Sequence, residues 1–181
     1  MISVAEVRSF EGLMSRLQTI RMKPNPAGKD RTRYGASAAQ LTGEWVDIKN
    51  VSVDAVNMNG VRLCHIAYSE GYPNGRWELV TSFTGTLQPG KVIRVHAGEA
   101  KNANQIRAED LVGADFHLFS GRDAYVWNNE RGDCSSLWTA DGAQPFDKAS
   151  YSSPPAEGAI LTRVGDALVG TTAKATASAR R

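Results

Sequence analysis

The sequence has little of what usually marks an enzyme, a metalloprotein or a membrane protein. Only two cysteines, Cys64 and Cys134, occur in 181 residues, far apart and without zinc-ligand spacing. Both fall in strand-like runs, where a thiol packs as a small hydrophobe. A disulfide would require their strands to face one another, and the sequence leaves that open. The three histidines, His65, His96 and His117, are scattered and lack local ligand spacing, which favours structural roles over a shared metal. There is no G-x-S-x-G and no D-x-D-x-D loop, so neither a nucleophile elbow nor a calcium loop is expected. Asp30, Asp123, Glu130 and Asp133 could gather at one end of the fold around Ca²⁺, but Asp133 reads better as an acceptor for its own turn. No catalytic residue, metal site or cofactor is therefore expected.

Charge of one sign is also scarce. Lys plus Arg number 21 against 19 Asp plus Glu, and the net charge of +2 gives no general case for nucleic acid. No stretch approaches the roughly 20 apolar residues of a membrane span. Glu6, Arg8, Glu11 and Arg16 break up the N-terminal segment where a secretory leader would need an apolar run. The expectation is a cytoplasmic protein, which a trimmed leader would reverse.

What is present is β patterning and turn chemistry. Ser3-Val4-Ala5-Glu6 fits a capping box, and Val7, Phe10, Leu13, Met14 and Leu17 recur at helical spacing. They predict a helix over about residues 4–20, ended by Pro24 and Pro26, with a strand as the weaker alternative. The lead KPNPAGKDRTRYG then carries Lys23, Lys29, Arg31 and Arg33, either a solvated loop or a contact for an anion.

From Glu44 the period becomes two, with Trp45, Asp47, Lys49 and Val51 on one face and Val46, Ile48 and Asn50 on the other. Asn59-Gly60 predicts a tight turn before a strand over 61–68. Further strands are expected at 76–83, at 92–96 after the Gln88-Pro89-Gly90-Lys91 turn, at 116–119, and at 125–127. Residues 98–115 are polar, long for a loop, and a candidate contact surface as a short helix or surface loop. Ser135–Thr139 and Pro145–Tyr151 flank Asp141-Gly142 as an antiparallel pair. SSPPAEG reads as a linker, 159–169 as a last strand or short helix, and 171–181 as a disordered tail. The total is about seven to nine strands, the pattern of an all-β sandwich. The expected organisation is a helical extension (1–23), a β-sandwich domain (24–153), and a linker with a flexible tail (154–181).

Several of these residues also carry a family. Glu44-Trp45-Val46, Ile48 and Asn50, followed by Gly60-Val61 and Leu63, resemble the opening strands of a lamin tail domain. Leu87, Pro89 and Gly90 match its L-x-P-G turn. Trp127-Asn128-Asn129, Gly132-Asp133, Leu137, Asp141-Gly142 and Tyr151 resemble its close, with Arg131 an extra residue in some versions of the pattern. Residues 25–30 resemble the P-x-G-x-D lead of bacterial members. The resemblance covers about residues 24–152. It implies an immunoglobulin-like sandwich used as a non-catalytic binding or interaction module for a protein or cell-structure partner. The rival readings are a binder of nucleic acid or another anionic polymer through Lys23, Lys29, Arg31, Arg33 and the Arg180-Arg181 tail, and a carbohydrate platform or Ca²⁺-binding sandwich. The oligomeric state is open.

Overall fold

The computed structural model describes residues 16–29, 31–32, 35–152 and 154–170. Its strands in chain order are β1 (Leu17–Lys23), β2 (Arg31–Thr32), β3 (Gly35–Ala36), β4 (Trp45–Asn50), β5 (Val56–Asn57), β6 (Arg62–Ser69) and β7 (Tyr72–Ser82). They continue with β8 (Thr86–Leu87), β9 (Val92–His96), β10 (Phe116–Phe119), β11 (Asp133–Trp138), β12 (Asp147–Tyr151), β13 (Leu161–Val164) and β14 (Ala167–Gly170). The helices are short. They are α1 (Ala38–Gly43), a 3-10 helix (Ala100–Gln105) and α2 (Ala108–Leu111).

Ten strands form one sheet in the order β10-β9-β4-β1-β13-β14-β12-β11-β6-β7. The sheet curls back on itself, because β1 reaches β11 and β12 directly. The Thr19 and Ser135 hydroxyls are 2.7 Å apart, and the Thr19 N–H donates to the Asp147 carboxylate at 2.8 Å. One core fills the fold, with Leu17, Met22, Val46, Ile48, Ile93 and Val95 from the first half meeting Leu63, Leu137, Ala149 and Tyr151 from the second. The result is mostly β, as the turn-rich, alternating sequence requires.

Two local expectations change, and for 159–169 the strand alternative is the one that forms. Most of the expected N-terminal helix lies outside the described residues, but its last four residues belong to β1 rather than to a helix. β1 lies between β4 and β13, where Leu17 and Thr19 bury in alternation. In this segment tertiary pairing outweighs the helical spacing. Tyr125–Trp127 is not a strand, because the Glu44 carboxylate takes the N–H groups of Val126 (2.9 Å) and Trp127 (3.0 Å). Residues 161–170 form the β13–β14 hairpin, which joins the two halves of the sheet, so the sheet draws on residues outside 24–153 at both ends. The 171–181 tail lies outside the described residues. No described helix is long and apolar enough to cross a membrane.

The expected turns form as read. At Met58–Val61 the Val61 N–H bonds the Met58 carbonyl, with Gly60 at φ +81°. At Gln88–Lys91, Pro89 precedes Gly90 at φ +73°, the pairing that a type II turn favours.

Candidate functional site

The polar residues of the sequence motifs converge on three internal fastenings. Asp133, 3% exposed, accepts four hydrogen bonds. Its Oδ1 takes the N–H of Ile66 (2.8 Å) and of Cys134 (2.7 Å). Its Oδ2 takes the N–H of Asn128 (3.1 Å) and Nδ1 of His65 (3.1 Å). Asn128 closes the turn by accepting from Glu130 and Arg131 through its side chain, while its carbonyl receives the Tyr151 hydroxyl at 2.8 Å. Gly132 sits at φ +84° and a Cβ there would lie 2.3 Å from the Tyr151 carbonyl, so only glycine fits. Asn129 reaches Asn25 at 3.4 Å, and Asn25 in turn bonds the Pro155 carbonyl.

The second fastening is Glu44, fully buried, on the Val126-Trp127 backbone; Trp127 is 3% exposed. The third is Asn50, whose amide donates to the Asp54 and Leu87 carbonyls and whose oxygen accepts from Ser52. These groups hold loops to strands. Their hydrogen-bonding capacity is directed inward.

A second polar cluster, unforeseen from the sequence, lies on the outer face of β1, β4 and β9 beneath residues 98–115. The Arg94 guanidinium grips Asp47 with two bonds (2.7 and 2.8 Å) and stacks 3.6 Å from the Trp45 ring centroid. Its remaining donors take the carbonyls of Asp110 and Val112. Arg21 adds to Asp47 at 2.7 Å and bonds the Gly113 carbonyl. Lys23 bonds both Asp110 oxygens at 2.8 Å, and the Trp45 indole N–H donates to the same carboxylate at 2.7 Å. Asp47, Arg94, Asp110 and Lys23 are each at most 5% exposed. Charges this deep persist only when paired and hydrogen-bonded, and here each is. The cluster straps the 98–115 segment to the sheet.

This removes Lys23 from the expected anion contacts, since its ammonium is already committed to Asp110. Lys29 is exposed, and the side chains of Arg31 and Arg33 lie outside the described residues.

The histidines separate. His65 is held by Asp133 edge-on to Trp127, with ring centroids 5.8 Å apart. His96 and His117 are neighbours with Nε2 and Nδ1 2.9 Å apart. The His96 Nδ1–H donates to the Thr42 carbonyl. In the neutral ring this leaves the His96 Nε2 as an acceptor facing His117. Among the described residues no group of three or more His, Cys, Asp or Glu could hold a metal. Asp133 is occupied as above, and Asp30 is not described. Cys64 and Cys134 are both free and buried, lying opposite Ser136 and Ser150. Burial pushes the Cys134 thiol up to about 11 and raises Cys64 as well, which suppresses thiolate chemistry.

Burial pulls the pKa of His96 from 6.5 down to about 4, against the Thr42 carbonyl, which favours the cation. The unfolded chain thus binds a proton between about pH 6.5 and pH 4 that the folded chain refuses. Stability should fall as pH drops through that window, at about 1.4 kcal/mol per pH unit and about 3 kcal/mol in all. The Asp147 carboxyl, raised by burial, gives the opposite slope, gaining stability as pH falls. Urea titrations across the window should therefore show a shallower loss in His96→Asn than in the parent. Parallel curves for the two proteins would contradict the assignment.

Exposed apolar side chains occur singly at Val51 and Val53 and around the β13–β14 hairpin (Ile160, Val164, Val169), and in groups at the two ends of the ten-strand order. At the β10 end Leu111 is 48%, Val112 72%, Phe116 50% and Leu118 37% exposed. At the β7 end Tyr72, Trp77 and Leu79 are exposed. The sequence pointed to the first through the length of 98–115; the second lay in a strand read only as a strand. Comparison of the chain with protein-family models gave no match, and comparison with curated proteins gave none either.

Proposed function

We propose that this chain is a non-catalytic interaction module, a lamin-tail-like immunoglobulin-type sandwich that binds a protein or cell-structure partner. The observation that carries this reading is the β10 edge, where Leu111, Val112, Phe116 and Leu118 stay exposed: Arg94 and Arg21 hold the carbonyls of 110–113, Lys23 holds the Asp110 carboxylate, and β9 holds Phe116 and Leu118. A preordered apolar surface loses less conformational entropy on binding than a floppy one, which favours a docking role. The resemblance to the lamin tail family supports the same reading. So does the way Glu44, Asn50, Asn128 and Asp133, which carry that resemblance, serve as internal fastenings.

The test is affinity capture from native lysate with the parent and with L111D/V112D and F116D/L118D. At least one protein should be enriched by the parent and lost with an edge variant whose melting temperature is unchanged. Identical capture by all three would show that the β10 edge is not the binding surface. A salt-dependent shift of an oligonucleotide by the same preparations would instead favour an anionic polymer.

A further inference from the structure

The other end of the sheet carries a separate inference. β7 is an edge strand, regular over Arg76–Leu79 between two register shifts, with Gly75 at φ +80° and with Trp77 40% and Leu79 46% exposed. Long edges that show apolar side chains are templates for further strand pairing.

The outward backbone groups can be identified. Ile66 lies opposite Trp77, and its N–H donates to Asp133 on the β11 side, away from β7. In an antiparallel ladder, two opposed residues either exchange hydrogen bonds or both point away from each other. The N–H and C=O of Trp77 therefore face the open edge, and by the period of two so do those of Leu79. The Leu79 carbonyl does point outward, where it receives Arg122 from the loop after β10; the same guanidinium pairs with Glu78 at 2.6 Å, so Arg122 must swing aside before a strand pairs over Leu79.

The side chains fit a two-fold axis. Arg76 and Glu78 share one face of the strand, 3.6 Å apart, while Trp77 and Leu79 share the other. In an antiparallel pair centred on Trp77, Arg76 of each copy stands opposite Glu78 of the other. Trp77 meets Trp77, and Leu79 lies over Gly75, where no side chain competes. A dyad at Gly75 would set Arg76 against Asn74 and Glu78 against Tyr72. A dyad at Leu79 would set them against Ser82 and Val80. Only the Trp77 axis pairs both charges.

We propose that β7 pairs with β7 of a second copy of this chain about Trp77, joining two ten-stranded sheets edge to edge in an isologous dimer. The inference does not depend on the β10 edge or on the partner proposed for it.

Sedimentation velocity on the full chain tests it. The parent should form a dimer at about 100 µM, as expected of a small interface. Trp77→Pro removes an outward N–H that β6 does not use, and should be monomeric with an unchanged circular dichroism spectrum. Arg76→Glu and Glu78→Arg should each be monomeric, because like charges then face across the axis. An equimolar mixture of the two should dimerise, since the strand with two acidic side chains on that face then meets the strand with two basic ones. Should Trp77→Pro fail to fold, the charge pair carries the same test. A monomeric parent, a dimer untouched by these variants, or a mixture that stays monomeric would each overturn the proposal.

Discussion

Replacing Asp110 with alanine should lower the free energy of unfolding by about 3–5 kcal/mol, among the largest effects of any single change in this protein. Asp110 is 1% exposed and receives Lys23 through both oxygens as well as the Trp45 indole. Removing it leaves a buried ammonium with no counter-charge and a buried N–H with no acceptor. The charge dominates, because an orphan indole costs only about 1–3 kcal/mol. The double variant Lys23→Met with Asp110→Asn should recover most of the loss. It removes the charge and keeps an oxygen for Trp45. Urea unfolding of the three proteins measures this, and a loss below about 1 kcal/mol in Asp110→Ala would show that the pair is not buried as described.

The second large effect is expected at Asp133. Asp133→Ala deprives three backbone N–H groups and His65 of their acceptor at once. Stability should drop by about 4 kcal/mol, since each orphaned donor costs about 1–3 kcal/mol and such losses are not fully additive. Asp133→Asn is the informative companion. Its amide has one accepting oxygen where the carboxylate has two, so one pair of donors is kept and the other faces an NH₂ group. It should fall between parent and alanine. Thermal unfolding orders the three, and equal stability of parent and Asp133→Asn would contradict the four-bond geometry.

Much of the β framework was legible in the sequence, because strands with one buried face and short turns leave strong local signals. The runs at 61–68, 76–83 and 92–96, the Asn59-Gly60 and Pro89-Gly90 turns, and the pairing across Asp141-Gly142 all form. The alternation from Trp45 was also informative. Val46 and Ile48 enter the core, while Trp45 and Asp47 face the buried charges.

What was not legible depends on distant partners. Residues 17–20 continue the helical spacing of Leu13, Met14 and Leu17, whereas pairing with β4 and β13 makes them the start of β1. Trp127 looked like a strand residue until Glu44, far back in the chain, claimed its N–H. Lys23 and Asp110 look like surface charges when read alone, being 87 residues apart. The available signal was a charged residue at alternate positions of otherwise apolar strands, as at Asp47 and Arg94. Such charges need burial partners on a neighbouring element.

Labour is divided in this fold as proposed above: motif residues fasten it, and the β10 edge is the proposed contact. The most direct test measures melting temperature and partner capture per folded molecule on the same two variants, Asp133→Asn and L111D/V112D. A lowered melting temperature with undiminished capture is expected for the first, and the reverse for the second. Loss of capture in folded Asp133→Asn, with capture intact in L111D/V112D, would contradict that division.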